Sequence, residues 1–235
     1  MYVITDHKIY SSSLSSLVNR GFIPILMPSC EHLQQGISSH TDMLIFIGFD
    51  KLFCHRSYYE ANRSVIDRIL SISKLSPVLS DESLSENYPN DVLFNAIKIG
   101  DKLICNKKTV SQLILEAADS NGCDIIHVPQ GYTKCSVCAV TDNAIITSDK
   151  AIHTACSALG IDSLLITVGN ISLPPYDYGF IGGASGAYLD KVYFCGDLSA
   201  HPDGARISDF CKLHGKEAVS LSKDKLQDVG SLFFI

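Results

Sequence analysis

Polar side chains that could hold a small molecule occur at the starts of several apolar segments of this chain. Asp91 and Asn95 open one such segment, and Tyr132 and Lys134 open another. If both segments are strands, period-two alternation puts Asp91 and Asn95 on one face of the first and Tyr132 and Lys134 on one face of the second. The two sets would then face one cavity, where a carboxylate, an amide, a phenol and an ammonium group could bind a polar ligand. The alternative is that they are solvated residues at the rim of a sheet.

Four more polar residues stand at comparable strand starts and join the candidate binding set. They are His40, Asp42, Ser185 and Ser231.

Cys135 and Cys138 form a CxxC pair, which is typical of metal sites and of thiol redox sites. There is no second CxxC, and the segment is predicted to be a strand, in which residues three apart point to opposite faces. We therefore expect no metal and no disulfide here, and the nine cysteines are expected to be reduced and mostly buried. Cys135, Tyr132 and Ser185 remain weak candidates for a catalytic role.

The elements that position these residues are clearest in the segment YTKCSVCAVTDNAIITSD, from Tyr132 to Asp149. An apolar strand reaches Asp142, the chain turns, and a second strand leads into a helix that begins at Ser148 or Asp149. Similar segments turn at Asp6, Asp50, Asp101 and Asp190, so that successive turns lie 41 to 51 residues apart. A supersecondary unit repeated on this scale predicts five units arranged around a centre.

Each unit is expected to add a helix and a third strand, which gives the order ββαβ. Gly21, Gly122, Gly160 and Gly215 are expected to end four of the helices. The final segment DVGSLFFI, from Asp228 to Ile235, has no helix after it and is expected to pair with the first unit and close the ring. The predicted helices lie at about 13–19, 58–73, 109–119, 150–159 and 202–213.

Composition narrows the class of protein. The chain has 235 residues, 46% of them apolar, and no linker interrupts the repeats, so one domain over residues 1–235 is expected. A net charge of −6 argues against nucleic acid as a partner. The amino terminus lacks the pattern of a signal peptide and no apolar run is long enough to span a membrane, so a cytoplasmic location is expected. Nothing in the sequence indicates a cofactor.

The five-unit plan resembles the pentein, or guanidino-group-modifying, superfamily. This superfamily contains amidinotransferases, arginine and agmatine deiminases and dimethylarginine dimethylaminohydrolases. The resemblance covers nearly the whole chain and is closest to an uncharacterised bacterial branch. Three segments carry it: YPNDVLFNAIKIGDKLIC from Tyr88, PQGYTKCSVCAVTDNAIIT from Pro129, and DVGSLFFI from Asp228.

The resemblance implies a five-fold α/β propeller with a central channel and places Asp91 where the family has the carboxylate that binds a guanidinium group. It places Tyr132 at the position of the catalytic histidine, and Phe233 or Phe234 at that of the nucleophilic cysteine. The usual chemistry needs a thiolate and a proton-transfer group, and phenylalanine cannot act as a nucleophile.

The expected function is therefore binding of a small guanidino or amino-acid-like ligand in the channel. Asp91, Asn95, Tyr132, Lys134, Ser185 and Asp42 form the predicted ligand-binding set. Two alternatives stay open: an interaction protein that uses its outer surface, and an enzyme with a displaced nucleophile such as Cys135 or Ser185. The aromatic loop Tyr176 to Tyr178, which precedes a glycine-rich stretch, is expected at the channel mouth, as a lid or as a packed loop.

Overall fold

The computed structural model describes residues 1–235 and contains five separate three-stranded sheets. The strands in chain order are β1 (Tyr2–Asp6), β2 (Ile23–Met27), β3 (Ile45–Gly48), β4 (Lys51–His55), β5 (Ser76–Ser80), β6 (Ile97–Ile99), β7 (Lys102–Cys105), β8 (Asp124–His127), β9 (Val137–Thr141), β10 (Ala144–Thr147), β11 (Asp162–Leu165), β12 (Ser185–Tyr188), β13 (Lys191–Phe194), β14 (Glu217–Ser220) and β15 (Phe233–Phe234). The α-helices are α1 (Ser11–Asn19), α2 (Thr41–Leu44), α3 (Arg56–Ala61), α4 (Arg63–Ser73), α5 (Gln112–Ser120), α6 (Thr133–Ser136), α7 (Lys150–Ala158) and α8 (Gly204–Leu213).

All five sheets have the same construction. An inner strand pairs antiparallel with a middle strand, and the middle strand pairs parallel with an outer strand after a helical crossover. The inner strands are β3, β6, β9, β12 and β15. This is the predicted five-unit α/β propeller, so the fold expected from the repeat pattern and from the pentein resemblance is confirmed.

The first sheet is assembled from both ends of the chain. Its inner strand β15 pairs antiparallel with β1, and Tyr2 and Ile235 exchange two backbone hydrogen bonds of 3.0 and 3.1 Å. The predicted closure of the ring by the final segment is therefore confirmed. The chain does turn at Asp6, where the Ile9 N–H donates to the Asp6 carbonyl oxygen, but the expectation that a second strand follows this turn is wrong, because the turn connects the middle strand β1 to α1. The turn that corresponds to Asp50 in the second sheet is replaced here by the two chain ends.

Local sequence signals account for the ends of four of the eight α-helices. Asp149 accepts hydrogen bonds from the backbone N–H groups of Ala151 and Ile152 and so caps α7. Gly21, Gly122, Gly160 and Gly215 all have positive φ directly after helices, as predicted. The helix expected at 58–73 is divided in two, because the helical conformation is interrupted at Asn62 between α3 and α4.

The apolar core is distributed between the sheets and the helices outside them. Large buried side chains such as Phe53, Phe94 and Phe194 come from several sheets, and each hydrophobic cluster joins neighbouring units. No helix has the length and apolar character needed to cross a membrane.

Candidate functional site

The five segments that precede the inner strands meet at one end of the ring. Backbone hydrogen bonds connect four of them, since Asp42 donates to Gly230, Gly183 donates to Cys135, and Ser231 donates to Gly183, and the Asn95 side chain connects the fifth. These contacts place most of the predicted site residues within one buried polar region.

Asp91 and Tyr132 form the most direct side-chain contact of this region. The hydroxyl of Tyr132 donates to Asp91 Oδ2 at 2.5 Å, whereas Asp91 Oδ1 is buried and has no partner. Burial raises the pKa of Asp91, although the Tyr132 hydrogen bond partly opposes that effect. Burial, followed by the neighbouring Asp91, raises the pKa of Tyr132. Tyr132 therefore stays protonated, and its hydroxyl group remains hydrogen-bonded to the Asp91 carboxylate.

Asn95 organises the segment that follows Tyr132. Its Oδ1 accepts the backbone N–H groups of Lys134 and Cys135 at 2.7 and 3.2 Å, and its Nδ2 lies 3.0 Å from Cys135 Sγ and 3.1 Å from the carbonyl oxygen of Asp42. Thr133–Ser136 is helix α6 rather than the start of a strand. The predicted strand alternation that puts Tyr132 and Lys134 on one face is therefore wrong. The segment at Asp91 and Asn95 is also irregular, since β6 begins only at Ile97.

Lys134, Ser231 and Asp42 form a second connected group. The Lys134 ammonium donates to Ser231 Oγ at 2.8 Å, and Ser231 Oγ lies 2.8 Å from Asp42 Oδ2 and 3.0 Å from the carbonyl oxygen of Gly182. Burial raises the pKa of Asp42, and the charges of His40 and Lys134 partly offset the rise. Ser231 is fully buried with a φ of 72°, an uncommon conformation for a residue other than glycine.

His40 lies between two buried carboxyl groups, Asp6 and Asp228. Its Nε2 is 3.7 Å from Asp6 Oδ2, and its Nδ1 is 3.6 Å from Asp228 Oδ1, so neither contact is a hydrogen bond. Burial lowers the pKa of His40 and favours the neutral ring. Burial raises the pKa of Asp228 to about 6, despite hydrogen bonds from the backbone N–H groups of Phe180 and Gly230.

A cavity of about 300 Å³ opens at this end of the ring, and we call it the first cavity. Asp228 and His40 line its interior together with Cys135, and Asp177 is the other carboxylate in its wall. The remaining walls are aliphatic and aromatic. The lining residues are Ile37, His40, Met43, Tyr132, Cys135, Leu173, Tyr176, Asp177, Tyr178, Phe180 and Asp228.

The aromatic loop predicted at the channel mouth contributes to this cavity. Tyr176 and Tyr178 are each more than a third exposed at its rim, and the Tyr176 hydroxyl donates to Gln34 Oε1 at 2.5 Å. The rings of Tyr132 and Phe180 are nearly parallel at 6.2 Å, and Tyr178 meets Phe180 edge-on.

A second cavity of about 200 Å³ lies among the inner strands, and residues of all five contribute to it. Lys134 and Ser185 line this second cavity and not the first. The structure thus separates residues that were predicted to face one cavity. Tyr132 and Cys135 face the first cavity, and Lys134 and Ser185 face the second. The other three predicted ligand-binding residues line neither cavity. Those three are Asp42, Asp91 and Asn95.

All nine cysteines are free thiols, and eight are buried. Cys135 lies in α6 and Cys138 in β9, so the CxxC pair spans two elements. Burial, reinforced by the charges of Asp42 and Asp228, raises the pKa of Cys135 well above its usual value. A thiol in this environment is a poor nucleophile at neutral pH. The chain contains no cluster of three or more His, Cys, Asp or Glu side chains with a geometry suited to a metal ion.

Asp6 and Asp228 are the two site residues that the sequence did not indicate. One signal was present, because the glycine-rich stretch after Gly179 predicts close approach by another group. That expectation is confirmed: a Cβ atom at Gly179 or Gly183 would collide with the Asp228 side chain, and one at Gly182 with backbone carbonyl groups of residues 134–137. The glycines showed that something approaches, but they did not identify the carboxyl group.

Known structures share this fold at very low sequence identity. Dimethylarginine dimethylaminohydrolase from Pseudomonas aeruginosa, complexed with citrulline, superposes with a TM-score of 0.58 at 8% identity, covering 94% of this chain and 91% of that one. Agmatine deiminase from C. jejuni superposes with a TM-score of 0.57 at 8% identity, and the match covers 94% of this chain and 87% of that one. An amidinotransferase of saxitoxin biosynthesis from Microseira wollei superposes with a TM-score of 0.55 at 7% identity, and the match covers 94% of this chain and 88% of that one.

At such identities the likeness establishes the pentein fold alone. No curated protein sequence matches this chain significantly. The model of one protein family matches residues 4–233, which is almost the whole sequence. The chain therefore belongs to that family, DUF6873, a family of unknown function.

Proposed function

We propose that this protein binds a small organic cation, of guanidino or amino-acid-like type, in the first cavity. The observation that carries the proposal is the position of Asp228, a buried carboxyl group in the wall of a cavity that is otherwise largely apolar and aromatic. A cation satisfies such a group by an ion pair, and aromatic faces add a favourable electrostatic contact. Asp177 at the exposed rim adds a second carboxylate along the entry path.

In this proposal the predicted binding residues have supporting roles. Asp91 holds the hydroxyl of Tyr132, and Asn95 holds the backbone that carries Tyr132 and Cys135. Asp91 becomes a direct charge partner only if a ligand displaces the Tyr132 hydroxyl. The likeness of fold to dimethylarginine dimethylaminohydrolase, agmatine deiminase and an amidinotransferase supports a ligand of guanidino type.

The proposal is limited to binding. Cys135 is the only thiol in the wall of the first cavity, and its raised pKa argues against a displaced-nucleophile enzyme. Ser185 lines the other cavity. No observation favours the interaction-protein alternative.

The test is a calorimetric and thermal-shift titration with arginine, agmatine and methylarginine, with citrulline as the relative of arginine whose side chain carries no charge. A ligand that binds only the folded chain raises its melting temperature, and ten times the dissociation constant adds about 1.4 kcal/mol of stability. We expect the cations to bind and citrulline to bind much more weakly.

Variants then locate the site. Asp228→Asn should weaken cation binding at least about tenfold, since it removes a charged partner. Asp119→Asn, an exposed carboxylate on α5, is the matched control and should bind normally. Asp91→Ala shows whether Asp91 also contacts the ligand. Failure of every cation to bind, or unchanged binding in Asp228→Asn, would refute the proposal.

A further inference from the structure

Lys134 carries a positive charge that no side chain in the structure neutralises directly. Its ammonium group can donate three hydrogen bonds, and the only one it makes is to the uncharged hydroxyl of Ser231. None of the ion pairs in the chain involves Lys134. The nearest connected carboxyl group, Asp42, lies on the far side of the Ser231 hydroxyl. A half-buried ammonium group with unused donors favours an external anion.

The second cavity offers a place for that anion. Lys134 lines it beside Phe233, whose ring centre is 5.5 Å from the ammonium nitrogen. No aspartate or glutamate contributes to its walls, and Lys98 adds a second positive charge at an exposed position. The electrostatic environment therefore favours a negative ligand over a positive one. The walls are otherwise mostly apolar and include Phe46, Ile47, Ile97, Ala139, Ala187 and Leu232.

We propose that the second cavity binds a small organic carboxylate with an apolar body, with the carboxylate group on Lys134. The single half-buried cation matches one negative charge, and the apolar walls match a hydrocarbon group of about the size of a benzene ring. A phosphate or sulfate ion would need more hydrogen-bond donors and would leave these walls in contact with water. This site is separate from the first cavity, and its existence does not depend on the cation proposed there.

The two cavities are connected by one chain of hydrogen bonds. Lys134 contacts the second cavity, and through Ser231 it reaches Asp42, whose backbone carbonyl accepts from Asn95 beside Cys135. Removing the Lys134 side chain therefore also alters the polar region near the first cavity. A second variant that leaves Lys134 in place is needed to separate the two effects.

The experiment follows 4-fluorobenzoate by fluorine NMR as it is titrated with the full chain. We expect saturable binding that is weakened at least about tenfold in Lys134→Met, because a hydrogen-bonded charge partner is lost. Ala187→Leu places a larger apolar side chain at the exposed edge of the second cavity without changing Lys134 and should weaken binding as well. Lys212→Met, which removes an exposed lysine of α8 far from this cavity in sequence, is the control and should bind like the native chain.

Each other outcome decides against the proposal. Absence of binding to the native chain, or unchanged binding in Lys134→Met, would overturn it. Displacement of 4-fluorobenzoate by equimolar inorganic phosphate would overturn the assignment to carboxylates. Displacement by equimolar agmatine would place the probe in the first cavity and would also overturn it. A native-like circular dichroism spectrum and melting temperature of Ala187→Leu serve as the control that weaker binding is not a general failure of folding.

Discussion

The hydroxyl of Tyr132 supplies the only side-chain hydrogen bond to the Asp91 carboxylate. The other carboxylate oxygen is buried without a partner, so Asp91 already has an incomplete set of donors. A buried acceptor that loses its donor keeps its full cost of desolvation. Tyr132 therefore stabilises the fold through Asp91, whether or not a ligand binds beside it.

We expect Tyr132→Phe to lower the free energy of unfolding by about 1–3 kcal/mol, since it leaves the buried Asp91 unpaired. The matched control is Tyr59→Phe, because the Tyr59 hydroxyl also donates to a carboxylate, Asp67, but at an exposed site. That change should cost less than about 0.5 kcal/mol. Urea unfolding of the three proteins measures both values, and equal effects would contradict the role assigned to Tyr132.

Asp228 makes stability depend on pH in a defined direction. In the folded chain the group keeps its proton up to about pH 6, whereas in the unfolded chain it loses the proton near its ordinary pKa of 3.8. Between these values the folded state binds more protons, so this contribution to stability is present below about pH 4 and is lost as pH rises through 6.

Asp228→Asn should remove this contribution. The free energy of unfolding of the native chain, minus that of the variant, is expected to fall between pH 4 and pH 6.5 by up to roughly 3 kcal/mol. Chemical unfolding of both proteins at several pH values gives this difference. The contributions of the other carboxyl groups are the same in both proteins and cancel in the subtraction. A difference that is constant with pH would contradict the raised pKa.

At the residue scale, the sequence indicated several polar side chains but not their distribution. Asp42, Asp91 and Asn95 do lie close to Tyr132 and Cys135 because strand starts converge in this fold. The division between two cavities was not predictable, since it depends on the irregular backbone before β6 and β9. Asp228 was missed because a single aspartate in a loop carries no periodic signal.

Helix α6 shows how a side chain from another unit can determine a local element. Its four residues, TKCS, include Thr and Cys, which are not strong helix formers. The apolar strand that follows also favours the prediction of an extended conformation for these residues. In the structure Asn95 accepts the N–H groups of Lys134 and Cys135 and stabilises the turn. Tertiary contacts therefore override local preference here. Single-sequence periodicity does not contain that information.

We expect Asn95→Ala to destabilise the chain by about 1–3 kcal/mol, because two N–H groups at the start of α6 lose their acceptor inside the protein. Asn121→Ala is the control, since Asn121 makes a side-chain hydrogen bond to a helix carbonyl, that of Ala117, at an exposed position. It should change stability by less than about 0.5 kcal/mol. Thermal and urea unfolding compare the two, and a small effect of Asn95→Ala would show that α6 forms without it.

The longer helices were predictable for a physical reason. Residues such as Asp149 and Gly160 act on the backbone within a few positions, so their effect is written in the local sequence. The break between α3 and α4 was not foreseen. The Asn62 side chain there donates to the carbonyl oxygen of Tyr58, within a stretch that otherwise has helical periodicity.

At the scale of the whole molecule, the ring of five sheets is closed although the two ends of the chain meet within its first sheet. Four sheets connect their inner and middle strands by a tight turn, and in the first sheet residues 1 and 235 lie where that turn would be. The repeat spacing allowed the ring to be predicted, but it gave Asp6 the wrong position within its unit. The error arose because Asp6, like the residues of the hairpin turns, ends an apolar strand and is followed within a few residues by Ile9 and Tyr10.

A circular permutant tests this description. Joining Ile235 to Met1 through a short Gly-Ser linker and opening the chain between Leu189 and Asp190, at an exposed turn, should retain the fold and most of its stability. Opening it between Leu52 and Phe53, inside the buried middle strand β4, should prevent folding. Circular dichroism and urea unfolding distinguish these results. Failure of the first permutant would contradict the equivalence of the chain ends to a turn.

The two-ended construction of the first sheet also affects the order of events during synthesis. Strands β1 and β2 leave the ribosome at least about 200 residues before β15. At typical translation rates this delay lasts roughly 10–40 s. During that time the inner edge of β1, which includes the apolar residues Val3 and Ile4, has no partner and is open to pairing with other nascent chains. Co-translational aggregation is therefore a hazard that this architecture creates, and pairing of β15 with β1 removes it.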